Sequence, residues 1–170
     1  MRGRTLLPAI TGWATALAVA CGTTDPDTVG SMEAVINGTP WQAERTFCFF
    51  RSDTRELTVR GGRTTGPDTR RSIELVELPN VPATVTLTAD GPRALIKDTD
   101  AAGWDTHVGY ATTEELTGTA SIIEFDPARG RCRGTFSFVA VAVYVARGPV
   151  VVDTLHVTAG SWDGEVSTSF

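Results

Sequence analysis

The stretch VPATVTLTA, residues 81–89, alternates apolar and polar side chains with a period of two. The apolar side chains share one parity, at Val81, Ala83, Val85, Leu87 and Ala89. The threonines share the other parity, at Thr84, Thr86 and Thr88. This period predicts a β-strand with one face on a core and the other face in solvent.

The same alternation, interrupted by turn residues, continues through most of the chain after residue 31. Asn37-Gly38 is a typical hairpin turn, Asp90-Gly91 predicts a further turn, and residues 63–71 and 98–103 are predicted to be loops. We count about ten strands and find no helical period outside the first twenty residues. Parallel α/β folds need crossover helices. The sequence therefore predicts a single all-β domain, an antiparallel β-sandwich or a partly open β-barrel.

The longest strand is predicted in RCRGTFSFVAVAVYVA, residues 131–146. Its first half alternates, with Cys132, Phe136 and Phe138 on the apolar parity. Its second half is apolar at both parities, which predicts a segment that is central in the sheet or covered by another part of the protein.

The first twenty residues, MRGRTLLPAITGWATALAVA, have two arginines followed by an uncharged apolar run of about fifteen residues. A positive start, a short apolar segment and small residues at the end are typical of a secretory signal peptide. Pro8 and Gly12 disfavour the alternative, a buried N-terminal helix.

The segment LAVAC, residues 17–21, resembles the lipobox of bacterial lipoproteins, although its leucine lies one position earlier than is usual. The resemblance implies cleavage before Cys21, lipid on Cys21 and anchoring in a membrane. Gly22 follows, which implies an outer-membrane address in the bacterial envelope, facing the periplasm or the surface. The polar residues 22–31 predict a flexible tether. The predicted organisation is a signal peptide at 1–20, lipidated Cys21 and tether at 21–31, and the β-domain at 32–170.

Composition excludes several kinds of partner. The chain is 41% hydrophobic and 21% charged, as globular domains are, with a formal net charge of −5. Without residues 1–20 there are 13 basic against 20 acidic residues. Such a surface repels nucleic acid, so we expect no nucleic-acid partner and a membrane contact only through the lipid.

Three cysteines are present, Cys21, Cys48 and Cys132. If Cys21 carries lipid, the other two are available to pair in the oxidising envelope. We predict a Cys48–Cys132 disulfide, with two separate buried thiols as the alternative.

Four segments resemble, in order, a known domain type: MEAVINGTPWQA (32–43), TGTASIIEFD (117–126), RGTFSFVAV (133–141) and HVTAGSWDG (156–164). They are similar to the DUF6252-type domain of bacterial lipoproteins, a family without an assigned function. Trp162 and Ala159 depart from it, where Phe and a turn Asn are expected. The resemblance implies a β-rich envelope domain and no activity.

No catalytic motif is present, and we expect no enzyme activity, no cofactor and no metal site. His107 and His156 could bind a metal only with Asp105 or Asp153, and exposure on a strand is the simpler interpretation. Trp104, after a glycine-containing loop, is the candidate for stacking on a ligand.

Three function hypotheses remain from the sequence. The first is a tethered β-domain that binds an envelope protein, glycan or other ligand, which an exposed apolar patch or a lined pocket would favour. The second is a structural or protective envelope protein, which a polar surface without concavity would favour. The third is a hydrolase with an unrecognised site, which requires histidines or acids that converge in a cleft.

Overall fold

The computed structural model describes residues 30–102, 105–146 and 153–169. Within these ranges the chain forms eleven strands and no helix, and so no helix long and apolar enough to cross a membrane. The strands are β1 (Ser31–Ile36), β2 (Thr39–Gln42), β3 (Arg45–Arg51), β4 (Glu56–Gly66), β5 (Thr69–Pro79), β6 (Ala83–Leu87), β7 (Arg93–Asp100), β8 (Thr106–Ala111), β9 (Gly118–Asp126), β10 (Arg131–Val145) and β11 (Thr154–Ser169).

The strands form one sheet in the order β2-β1-β11-β3-β4-β5-β7-β8-β10-β9-β6, and β10 also pairs with β11. The pairings thus run in a closed circuit through β3, β4, β5, β7, β8, β10 and β11. All are antiparallel except β3 with β11. The prediction of an all-β, mainly antiparallel sandwich or open barrel is confirmed.

The Asn37-Gly38 hairpin is confirmed. Both residues have positive φ, 46° and 79°, as a two-residue hairpin turn requires, and Ile36 pairs with Thr39 across it. The Asn37 side chain also accepts a hydrogen bond from the backbone N–H of His156 at 2.7 Å. The turn is therefore attached to β11, more than a hundred residues away in sequence.

The predicted strand 81–89 is shorter in the structure. β6 keeps the predicted alternation, with Leu87 buried and Thr84 and Thr86 exposed. It pairs only with β9, at the edge of the sheet. Val81, which is 53% exposed, and Ala89 lie beyond its ends, so their predicted burial is wrong. An edge strand has one neighbour, and its ends are not held by pairing.

The predicted loops at 63–71 and 98–103 are shorter in the structure: among the described residues only 67–68 and 101–102 are turns, and the strand residues on either side were wrongly predicted. β4 runs to Gly66, β5 begins at Thr69, and β7 continues to Asp100. Arg71 on β5 binds Asp98 on β7 through two hydrogen bonds of 2.6 Å. The polar composition suggested loops, but cross-strand ion pairs extend the strands instead.

The core on β10 and β11 interleaves aromatic rings with glycines. Trp162 pairs with Gly134, and Phe136 pairs with Gly160. The two rings also contact each other, with centroids 6.1 Å apart. A Cβ on Gly134 would lie 2.3 Å from the Trp162 ring, and one on Gly160 would lie 2.5 Å from the Phe136 ring. The glycines therefore make the space that the rings fill.

Ala159 has a φ of +49°, which only a few residue types adopt easily. Here the β1–β11 register shifts, between the pairs Glu33–Ser161 and Val35–Thr158. The resemblance placed a turn Asn at this position, and Asn tolerates the left-handed conformation well. Ala159 lies within β11 at this register shift, however, and not in a tight turn.

Candidate functional site

Cys21, the predicted lipid attachment residue, and Trp104, the predicted stacking residue, lie outside the described residues. The same holds for the predicted signal peptide and for most of the tether. Anchoring at Cys21 and stacking by Trp104 therefore stay predictions.

Cys48 and Cys132 come together in the core, as the sequence predicted, but the predicted disulfide is not present. Both are free, buried thiols, and each sulfur has a partner. The Cys48 thiol donates to the Cys132 carbonyl oxygen at 3.9 Å, and the Cys132 sulfur accepts a hydrogen bond from Trp162 Nε1 at 3.3 Å. Cys48 lies beside Gly164, where a Cβ would approach its sulfur to 2.8 Å.

The Cys48 thiol is poorly suited to nucleophilic chemistry. Its pKa is raised well above the ordinary value, first by its hydrogen bond to Cys132 and second by burial. A thiol with a raised pKa carries little thiolate at neutral pH, and the thiolate is the reactive form. The pKa of Cys132 is lowered, first by its hydrogen bond with Cys48, although burial opposes that shift. Both side chains are completely buried, so the pair packs in the core and neither sulfur is open to solvent.

The two histidines lie far apart. His156 on β11 is level with Val139 of β10, whereas His107 on β8 accepts a hydrogen bond from the backbone of Ala146. Val139 and Ala146 are seven residues apart along the chain, which corresponds to about 23 Å in a strand. Both side chains are exposed. The hypothesis of a hydrolase or metal site built on both histidines is therefore wrong, and the described residues contain no other cluster of three or more metal-ligating groups.

A cleft of about 870 Å³ lies where β7, β8 and the end of β10 meet. Ligand sites in proteins commonly fall within this size range. Its wall includes apolar groups and hydrogen-bonding groups, among them Leu95, Lys97, His107, Gly109, Val143 and Tyr144. The missing side chain at Gly109 leaves space beside Tyr144, since a Cβ there would lie 3.6 Å from the Tyr144 Cβ.

Val143 and Tyr144 are the exposed apolar part of this cleft, at 58% and 52%. They lie in the second half of β10, where the register with β8 shifts between Ala142 and Tyr144. Its apolar residues at both parities predict a segment that is central in the sheet or covered. It is paired on both sides at Val141, but these two side chains are not covered by described residues. The apolar residues at both parities of this half of β10 were the sequence feature that could have located the cleft. That feature predicts burial, so the exposed site was not recognised from the sequence.

Lys97 connects the cleft to a buried carboxylate. Its ammonium binds Glu74 Oε2 at 2.8 Å, and Arg60 binds the other oxygen, Oε1, at 3.2 Å. Glu74 is nearly buried, so an unpaired charge there would be costly. The arrangement holds the Lys97 ammonium at the cleft wall.

A second polar cluster joins Arg71, Asp98, Tyr110 and Asp153. The Tyr110 hydroxyl donates to Asp153 at 3.4 Å. The pKa of Tyr110 is raised, first by burial and then by the Asp153 and Asp98 charges, and the pKa of Arg71 is raised mainly by Asp98. Neither group changes its protonation near neutral pH. The cluster therefore ties β5, β7 and β8 together.

Comparison of the chain with protein-family models, with curated proteins and with solved structures finds no match. The resemblance to the DUF6252-type domain therefore stays a prediction.

Proposed function

We propose that this protein is a membrane-tethered, non-enzymatic β-domain of the bacterial envelope that binds a ligand in the β7–β8–β10 cleft. The single observation that carries the proposal is the cleft itself, with an exposed aromatic ring beside apolar and hydrogen-bonding groups. A structural envelope protein without a ligand was expected to have a polar surface without concavity, and the cleft counts against that alternative.

The residues in the cleft favour an envelope glycan as the ligand. The Tyr144 ring offers an apolar face for a sugar, and Lys97, Asp105 and His107 offer charged and hydrogen-bonding groups around it. Carbohydrates present both an apolar face and many hydroxyl groups. This combination matches a cleft that is neither wholly apolar nor lined by one sign of charge.

A Tyr144→Ala variant is expected to weaken binding of soluble envelope saccharide fragments about tenfold, because the stacking face is lost. Isothermal titration with peptidoglycan fragments and with outer-membrane polysaccharide fragments measures this. Ile123→Ala is the matched control, because Ile123 is 54% exposed on β9 and lies outside the cleft. If neither fragment class binds, or if both variants bind like the parent chain, the cleft proposal is wrong.

Anchoring is tested separately. The mature chain from native membranes is expected to begin at Cys21 and to carry the mass of added acyl chains, since more than one chain is needed for stable anchoring. Intact-mass measurement checks this, with Cys21→Ala as the control that should be found outside the membrane fraction. An unmodified Cys21 still joined to residues 1–20 would contradict the lipoprotein assignment.

A further inference from the structure

The face of the sheet opposite the core carries a row of small and cationic side chains. The register pairs Arg45 with Gly62, Gly62 with Ser72, and Ser72 with Lys97. Residues paired in this way point to the same side of a sheet. Because Gly62 and Ser72 are small, this row leaves room for other groups above it.

Arg70 fills part of that room. A Cβ on Gly62 would lie 2.7 Å from Arg70 Nη2 and 2.8 Å from its Nε, so the guanidinium lies directly over the glycine. Arg70 Nε is buried and has no hydrogen-bond partner, and the same is true of Ser72 Oγ on this face. A buried polar group without a hydrogen-bond partner is destabilising. Both groups therefore have hydrogen-bonding capacity that no described residue uses.

The pocket beside Arg70, which we call the basic pocket, has a volume of about 300 Å³. Its lining includes Arg45, Phe47, Phe49, Arg60, Gly62 and Arg70. Among the described residues, neither Arg45 nor Arg70 has an ion-pair partner. Glu74 binds Arg60, but it is shared with Lys97. Positive charge is therefore in excess here, on a chain whose net charge is −5.

The basic pocket also has an aromatic wall. The rings of Phe47 and Phe49 lie 5.9 Å apart, and Phe49 is 41% exposed. Both are on β3, on the same face as Arg45. A guanidinium suits the geometry of a carboxylate or phosphate, and an exposed phenyl ring suits a flat apolar group.

We propose that the basic pocket binds an oxyanion, a carboxylate or a phosphate, that is carried on an aromatic group. Arg70 and Arg45 bind the oxyanion, and Phe47 and Phe49 contact the aromatic group. The volume admits a small ligand only. The basic pocket is separate from the β7–β8–β10 cleft, so this proposal does not depend on the proposed function.

Titration of the full chain with phenyl phosphate, benzoate and inorganic phosphate tests the proposal. Phenyl phosphate or benzoate is expected to bind, and whichever binds more tightly identifies the oxyanion. Arg70→Gln and Arg45→Gln are each expected to weaken that binding about tenfold or more. Arg129→Gln is the matched control, since this arginine has an 80% exposed side chain and does not line the basic pocket, and it should leave binding unchanged.

Two further variants separate the parts of the site. Gly62→Ala adds a Cβ where only the flexible end of Arg70 must move, so it should displace the guanidinium, and weaken binding, without a change of charge or loss of fold. Phe49→Ala should weaken phenyl phosphate and leave inorganic phosphate unchanged. Thermal unfolding of every variant confirms that it is folded.

Three results would overturn the proposal. The first is no binding of either aromatic probe at millimolar concentration. The second is equal binding by the Arg70→Gln and Arg129→Gln variants. The third is tighter binding of inorganic phosphate than of either aromatic probe, since the aromatic wall would then have no role. Tyr144→Ala should retain phenyl phosphate binding, which distinguishes failure here from failure of the cleft proposal.

Discussion

Replacing Gly134 by alanine is expected to lower the free energy of unfolding by about 3 kcal/mol or more, at the upper end of overpacking effects. The added Cβ would lie 2.3 Å from the Ser121 carbonyl oxygen and 2.3 Å from the Trp162 ring. The first is backbone of the paired strand β9, and the second is a ring buried in the core, so neither can move aside cheaply. Urea denaturation followed by circular dichroism measures the change.

Gly109→Ala is the matched control for this prediction. Gly109 also lies in a strand, but its added Cβ would meet its nearest neighbour at 3.6 Å, an ordinary contact. Alanine in a strand is otherwise better than glycine, so stability should be unchanged or higher by about 0.5 kcal/mol. Equal stabilities of the two variants would mean that the close approach of β9, β10 and Trp162 is wrong.

Replacing Trp162 by alanine is expected to cost about 3–5 kcal/mol, the range for large aromatic side chains in cores. Trp162 is almost completely buried, packs against Phe136 and gives the Cys132 sulfur its hydrogen-bond donor. Its loss leaves a cavity above Gly134 and removes that hydrogen bond. The same denaturation experiment measures the effect, with circular dichroism as the signal because the substitution removes one of the tryptophans that give the fluorescence.

Comparison of Trp→Phe at two positions separates the hydrogen bond from the packing. Trp162→Phe removes a donor that is used, whereas Trp41→Phe removes an Nε1 donor that has no partner among the described residues. Both tryptophans are buried. Trp162→Phe should therefore cost more than Trp41→Phe. The reverse order would contradict the contact between Trp162 and Cys132.

The sequence was sufficient for the features that depend on neighbouring residues. Alternation of apolar and polar side chains predicted an all-β fold, because side chains of a strand point to opposite faces in turn. Asn37-Gly38 predicted its hairpin, because both residues tolerate positive φ. The parity of Cys132 with Phe136 and Phe138 predicted that all three face the core, and they do.

Tertiary structure decided what depends on residues far apart in sequence. The basic pocket needs Arg45, Gly62 and Arg70 on three strands, and only the register of β3, β4 and β5 brings them together. The parallel pairing of β3 with β11 joins residues more than a hundred positions apart, so no local pattern indicates it.

The positions at which strands end, and the exposure of side chains on β10, also depend on the neighbouring strands in the sheet. From the sequence alone, residues 63–71 are predicted to be a loop. In the structure 63–66 and 69–71 are strand, because β4, β5 and β7 pair with one another there. From the sequence alone, Val143 and Tyr144 are predicted to be buried. In the structure they are exposed, because the described strands leave a cleft beside them. The order of residues along the chain is enough to show which segments can form strands and which face each side chain prefers. Which faces are covered follows from the packing of distant strands, because burial is a property of the neighbouring strands and not of the residue.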